Sequence, residues 1–199
     1  MSISSLLRRP IAYGTSLVLL LFVHSNLLQA QQDVNTSFKD LSIEIQAYPT
    51  GVLYGLRFDT GLGAKSSGNV RLGYNMVRHR DLGVNEDERG GGFGGSLGYR
   101  YHLSPSKEKW FGGMRTDVWF NEVEWKNQIG EIDEDKGTTN IVVLQPTVEA
   151  GYVLPLGEGG WFLSPSIAFG FEINVVSDGK DVGQGAILLV GFSFGKRFR

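Results

Sequence analysis

The chain contains no cysteine, which removes disulfide scaffolds and thiolate metal sites from consideration. It also lacks an excess of positive charge, since 19 Lys and Arg stand against 21 Asp and Glu, a formal net charge of −2. A mildly acidic chain is poorly suited to nucleic acid, so no nucleic-acid partner is expected. Proline is scarce, with 6 in 199 residues, while glycine is abundant at 28 and aromatics make up 12%. That balance is the profile of an all-β protein with many close backbone approaches rather than of a disordered chain. Beyond residue 30 no stretch approaches the ~18 consecutive apolar residues of a membrane helix, so this chain can cross a bilayer only as a closed barrel.

What is present at the N-terminus is an address. Residues 1–30 carry a basic start with Arg8 and Arg9, an apolar run over 16–23 (SLVLLLFV), and the small residue Ala30 before a polar QQD. The pattern predicts a cleaved secretory signal peptide over 1–30 and a single domain over 31–199.

From residue 41 onward, apolar and small or polar residues alternate, with turn signals between the runs. Strands are expected over 41–48, 52–60, 70–77, 93–103, 110–121, 141–153, 161–175 and 186–199, each near the ~9 to 11 residues that cross a bilayer when tilted. Residues 79–92 are too polar and glycine-rich to read as strand, and His79 is expected to be solvated in that loop. After Asn121 the phase inverts, because Glu122 and Glu124 continue the parity of the apolar face, so this hairpin is expected to leave the lipid there. Pro146 and Pro165 fall inside strands, where a missing N–H predicts a bulge or a shifted boundary. The turns at 61–69, 104–109 and 154–160 lie on one side, and three of the four connections on the other side are expected to be longer and acidic.

The last stretch, AILLVGFSFGKRFR, sets Leu188, Val190, Phe192, Phe194 and Phe198 on one face against Leu189, Gly191, Ser193, Gly195 and Arg197 on the other. A large apolar face backed by glycine and serine suits a wall between lipid and a crowded lumen. Here the chain resembles the small outer-membrane β-barrel proteins of Gram-negative bacteria, of the OmpA, OmpX and OmpW kind. The resemblance implies an eight-stranded antiparallel up-and-down transmembrane barrel in the outer membrane. It implies outer-membrane lipid and the barrel assembly machinery as partners, and a final strand ending in aromatics. A secreted lipocalin-like barrel would show the same alternation with the apolar face turned inward. The glycine and serine on the second face favour the membrane reading over that one.

On the expected lumen face lie Glu44, Arg57, Asp59, Arg71, Arg100, Arg115, Asp117, Glu149 and Glu172. Eight strands leave an interior just wide enough for side chains, so these charges must pair, and Arg115 is expected to meet Glu149. The expectation is an ion-pair network that plugs the barrel, ahead of a charged conduit. Aromatics beside the turns of one side, Tyr101, Trp110, Tyr152, Trp161, Phe162 and Phe198, read as an interfacial girdle, with Tyr54, Phe120 and Trp125 as candidates for the other.

Motifs that could carry chemistry are weak. His102 and Ser104 have a spacing similar to the Ser and His pair of outer-membrane lipid A deacylases, but no orienting acid accompanies them. Gly90, Gly92 and Gly95 fit G-x-G-x-x-G without the helix that motif needs. Glu131, Asp133, Glu134 and Asp135 lack the spacing of a Ca²⁺ loop and read as a solvated acidic loop. The sequence therefore points to a non-enzymatic barrel, with no cofactor, no metal, and a structural or surface-interaction role. A narrow channel or hydrophobic-ligand conduit, or a lipid-modifying barrel, remain the alternatives.

Overall fold

The computed structural model describes residues 38–82 and 84–198. The expected signal peptide at 1–30 lies outside the described residues. Eight strands follow in order: β1 Lys39–Tyr48, β2 Gly51–Gly61, β3 Ser66–Arg80, β4 Asp87–His102, β5 Lys109–Asn127, β6 Asp135–Leu156, β7 Trp161–Asp178 and β8 Gly185–Phe198. Each pairs antiparallel with the next, and β1 pairs with β8 to close the barrel. Both described chain ends and the turns 62–65, 103–108 and 157–160 share the terminal end. The connections after β1, β3, β5 and β7 share the loop end.

The stagger follows from the ladder. Starting at Ala150 and stepping through partners Ile167, Val190, Ala47, Val52, Met76, Gly91 and Glu122, the path returns to β6 at Asn140. Returning ten residues away from the start fixes the shear. With eight strands ~4.8 Å apart and ~3.3 Å per residue, that shear tilts the strands by about 40°.

The exterior is apolar on every strand. Leu72, Leu97 and Phe93 are 70 to 75% exposed, and Leu41, Ile43, Leu56, Phe169, Leu188 and Phe192 also point outward. The opposite face of the same strands buries Glu44, Gln46, Arg57, Arg71, Asp117 and Gln145 completely or almost so. A lipocalin-like barrel requires the reverse, so the exterior matches hydrocarbon and the barrel is a transmembrane one. No helix among the described residues is long and apolar enough to cross a membrane.

Two expectations about extent are corrected. Residues 79–92 are not one loop: β3 runs to Arg80, β4 starts at Asp87, and His79 is 7% exposed on the lumen side. Likewise β5 and β6 pair as far as Asn127 and Asp135, with Glu122 and Glu124 outward and Val123 and Trp125 buried. The phase inversion read from Glu122 is real, and its cause is that a wall standing clear of lipid puts charge outside and apolar groups inside. Connections at the loop end are therefore short, between Arg80 and Asp87, over 128–134 and over 179–184, because the extra length is strand. The wall is tall at β5 and β6 and lowest at the β1–β2 turn.

Neither proline carries a register shift. The irregularity between β6 and β7 lies between Val142 and Val143. At each proline the ladder instead drops a pair of rungs and resumes in the same register, from Leu144↔Ile173 to Thr147↔Gly170 and from Gly151↔Ser166 to Leu154↔Leu163.

Candidate functional site: the filled lumen

The central layer of the lumen is a closed ionic cluster. Arg57 donates to Glu44 at 3.1 Å and, with two nitrogens, to Asp59 at 3.0 and 3.2 Å. From β3, Arg71 reaches Glu44 at 3.0 Å and Asp117 at 2.8 Å. Arg115 turns to Asp117 at 3.1 Å and to Glu44 at 3.5 Å, and both Arg71 and Arg115 donate to the amide oxygen of Gln46, at 3.0 and 2.7 Å. Arg100 holds Glu149 with two bonds, at 2.6 and 3.1 Å, and Arg57 lies 3.7 Å from the same carboxylate. Four guanidinium groups thus face four carboxylates, so the cluster is neutral, and each charge has at least two opposite neighbours. Such mutual pairing is what allows buried charge to persist.

Glu149 and Arg115 do not pair. The ladder sets Glu149 opposite Gly113 and Arg115 opposite Thr147, and the long Arg100 side chain takes the carboxylate first. Glu172 also stands apart from the cluster, accepting from Gln145 Nε2 at 2.9 Å. Gln145 in turn accepts from the Trp119 indole at 2.9 Å, and Arg71 lies over that ring at 5.3 Å.

Toward the terminal end, Phe111, Val153 and Phe162 form an apolar floor, with Arg100 over Phe111 at 4.1 Å. Phe162 is buried, so it belongs to this floor and not to the girdle. Beneath it Arg197 holds Asp40 at 2.7 and 2.9 Å, and both Arg197 and Lys107 stack on Phe38 at about 4.5 Å. The Asp40–Arg197 pair was missed by the sequence argument, although one more step of the Ser42–Glu44–Gln46 alternation reaches Asp40. In the turn, burial pushes the Lys107 ammonium below its ordinary value and Arg197 adds to the shift.

Toward the loop end the lumen turns apolar. Leu53, Trp119, Val123, Trp125, Ile141, Val143, Ile187 and Leu189 pack together with Val182 of the last connection. That connection folds inward: Lys180 O accepts from Thr139 at 2.9 Å, Lys180 Nζ sits 4.4 Å over Trp125 and pairs with Asp135 at 3.0 Å. Trp125 faces inward, donating to Thr139 at 3.1 Å, so it is not part of an outer girdle.

The exterior aromatics sort into two belts. At the terminal end Tyr101, Trp110, Trp161 and Phe198 are exposed, Trp110 meets Tyr152 edge-on at 5.1 Å, and Lys196 lies over Trp161 and Phe198. Nearer the loop end, Tyr54, Tyr74, Phe93 and Phe120 are direct partners across four strands, with ring centroids 5.7 and 5.0 Å apart for the first two steps.

The structure does not bring His102 and Ser104 together. His102 is buried and shares a 3.0 Å hydrogen bond with Ser67, while Ser104 is in the turn and bonds Ser106. Gly90, Gly92 and Gly95 are part of β4. Among the described residues no group of three or more His, Cys, Asp or Glu could hold a metal ion.

No protein-family model matches the chain, and neither does any curated protein. Solved structures that resemble it include the N-terminal β-barrel domain of OprF from Pseudomonas aeruginosa, with 13% identity over 81% of this chain and 97% of that one, at a TM-score of 0.44. The attachment invasion locus protein Ail of Yersinia pestis aligns over 81% and 97% of the two chains at 7% identity and a TM-score of 0.43. Neisserial surface protein A aligns over 80% and 97% at 9% identity and a TM-score of 0.42.

Proposed function

We propose that this chain is a non-conducting, non-enzymatic barrel of a Gram-negative outer membrane, with a structural or surface-interaction role. On this reading the 1–30 segment directs secretion, the barrel assembly machinery inserts the domain, and the terminal end faces the periplasm. One observation carries it: three stacked layers cross the lumen, an apolar floor, a neutral eight-residue ionic cluster and an apolar cap. A channel or hydrophobic conduit needs a continuous path, and each layer opposes one. A permeating ion would have to break the pairs of Arg57 or Glu44, each of which holds several partners.

Conductance is the direct test. Protein reconstituted in planar bilayers should give no steady current at physiological salt, and a stable ion-selective current overturns the plug. Location is tested separately. The chain should fractionate with outer membranes and change its migration on a denaturing gel after boiling, whereas recovery from the soluble periplasm overturns the membrane assignment.

A further inference from the structure

The loop end contains a second group of polar residues, distinct from the ionic cluster. His79 Nε2 lies 3.0 Å from Glu88 Oε2, which also accepts from the Gly183 amide at 3.3 Å. Glu88 Oε1 accepts from both the backbone and the side chain of Asn85, at 3.2 and 2.8 Å. With this carboxylate surrounded by donors, Nε2–H of the His79 ring donates to it, which in the neutral ring leaves Nδ1 as the acceptor. That Nδ1 is buried and has no hydrogen-bond partner among the described residues. Glu172, half-buried nearby, accepts from Gln145, and among the described residues no cation lies within ion-pairing distance of it.

Both groups line one cavity of about 420 Å³, walled by Val77, Val123, Ile141 and Ile187. The volume is within the ~300 to 1,000 Å³ of small-ligand sites. Thr50, on the low β1–β2 side of the wall, stands at its edge, and Leu82 and Val84 on its rim are more than 60% exposed. Beside the satisfied Glu88, the site thus offers His79 Nδ1 and the Glu172 carboxylate, which has no cationic partner among the described residues, against an apolar wall, with Thr50 and Gln184 also in its lining.

We infer that this cavity binds a small amphiphilic amine, with the ammonium donating to Glu172 and to His79 Nδ1 and the hydrocarbon body against Val77, Val123, Ile141 and Ile187. A primary ammonium supplies the missing positive charge together with donors for both acceptors, which an anion or a neutral alcohol does not. The inference deepens the surface-interaction reading, and rests on it only for the side from which the ligand comes.

Titrate the isotope-labelled barrel in lipid nanodiscs with n-hexylamine, following the Val182 and Gly183 amide signals, with n-hexanol and hexanoate as matched controls. Saturable shifts with the amine, absent with hexanoate and at least about tenfold weaker with hexanol, are expected. Glu172→Gln keeps an acceptor for Gln145 but removes the charge and should weaken amine binding about tenfold. Thr50→Trp obstructs the mouth without touching either acceptor and should abolish it. Equal shifts with amine and hexanol, no saturation, or undiminished affinity in either variant overturns the site. Because binding is read without current, failure here leaves the conductance result standing, and a conducting barrel leaves this one standing.

Discussion

Arg100 on β4 grips the Glu149 carboxylate of β6 with two hydrogen bonds, 2.6 and 3.1 Å long, reaching past β5 to do so. Glu149 also balances Arg57. Glu149→Ala therefore leaves two guanidinium groups short of a carboxylate in a site buried from bulk solvent. The expected loss is about 3 to 5 kcal/mol, measured by urea unfolding from lipid vesicles. Arg100→Met with Glu149→Leu removes one charge of each sign and should recover most of that loss, since Arg57 keeps Asp59 and Glu44. A neutral Glu149→Ala would mean the charged face is solvated.

Trp119 is fully buried because the wall beside it is bare. Gly55, Gly73 and Gly94 are consecutive partners in the row that ends at Trp119, and a Cβ on Gly94 would press on the Val118 carbonyl oxygen and lie 2.6 Å from the Trp119 ring. Gly94→Ala should cost about 1 to 3 kcal/mol by overpacking. Shrinking the ring in Trp119→Leu should lessen the penalty of Gly94→Ala, a positive coupling that a double-mutant cycle reads directly. Simple additivity would show that the glycine serves the backbone alone.

Phe169 lies midway along the outward apolar run of β7, half exposed and edge-on to Phe171 at 5.9 Å. Placing a guanidinium there in Phe169→Arg should cost about 2 to 4 kcal/mol in a bilayer. Glu122→Arg, on the outward face of β5 beyond the phase inversion, should change stability by less than about 0.5 kcal/mol. Equal costs at the two positions would contradict the lipid boundary drawn between them.

That boundary also explains what the sequence disclosed. Where lipid imposes alternation, as in Leu41 to Ala47 or Leu188 to Phe194, both the strand and its facing could be read residue by residue. Above the lipid the rule lapses: His79, Glu88, Val123 and Trp125 obey an interior whose partners come from the last connection, and no local pattern announces Val182 folding in over them. The charged set on the lumen face was legible by parity, but the pairs were not, because Arg side chains reach across strands and the register needed to place Arg100 against Glu149 is a property of the closed barrel. Phe162 and Trp125 resemble belt residues in being aromatic and near turns, yet their parity along β7 and β5 points inward.

The seam between β6 and β7 is interrupted at two places, for a covalent reason. Neither Pro146 nor Pro165 has an N–H to donate, and the rungs that would join Pro146 to Phe171 and Pro165 to Tyr152 are absent from this one ladder. On their other sides both prolines keep regular pairing, with Thr116 and Phe192. The deficits therefore add on a single seam instead of being spread around the barrel. Amide hydrogen exchange should find the residues beside these gaps less protected than their counterparts in the unbroken β4–β5 ladder. Pro146→Val restores a donor at a strand position suited to a β-branched residue. It should give a protected amide at position 146 and raise stability by about 0.5 to 1.5 kcal/mol, less whatever entropy the proline removed from the unfolded chain. Combining it with Pro165→Val should close the second gap additively, since the two sites lie several rungs apart. Uniform protection around the wild-type barrel, with no change on restoring either donor, would show that other contacts already hold this seam as firmly as the rest.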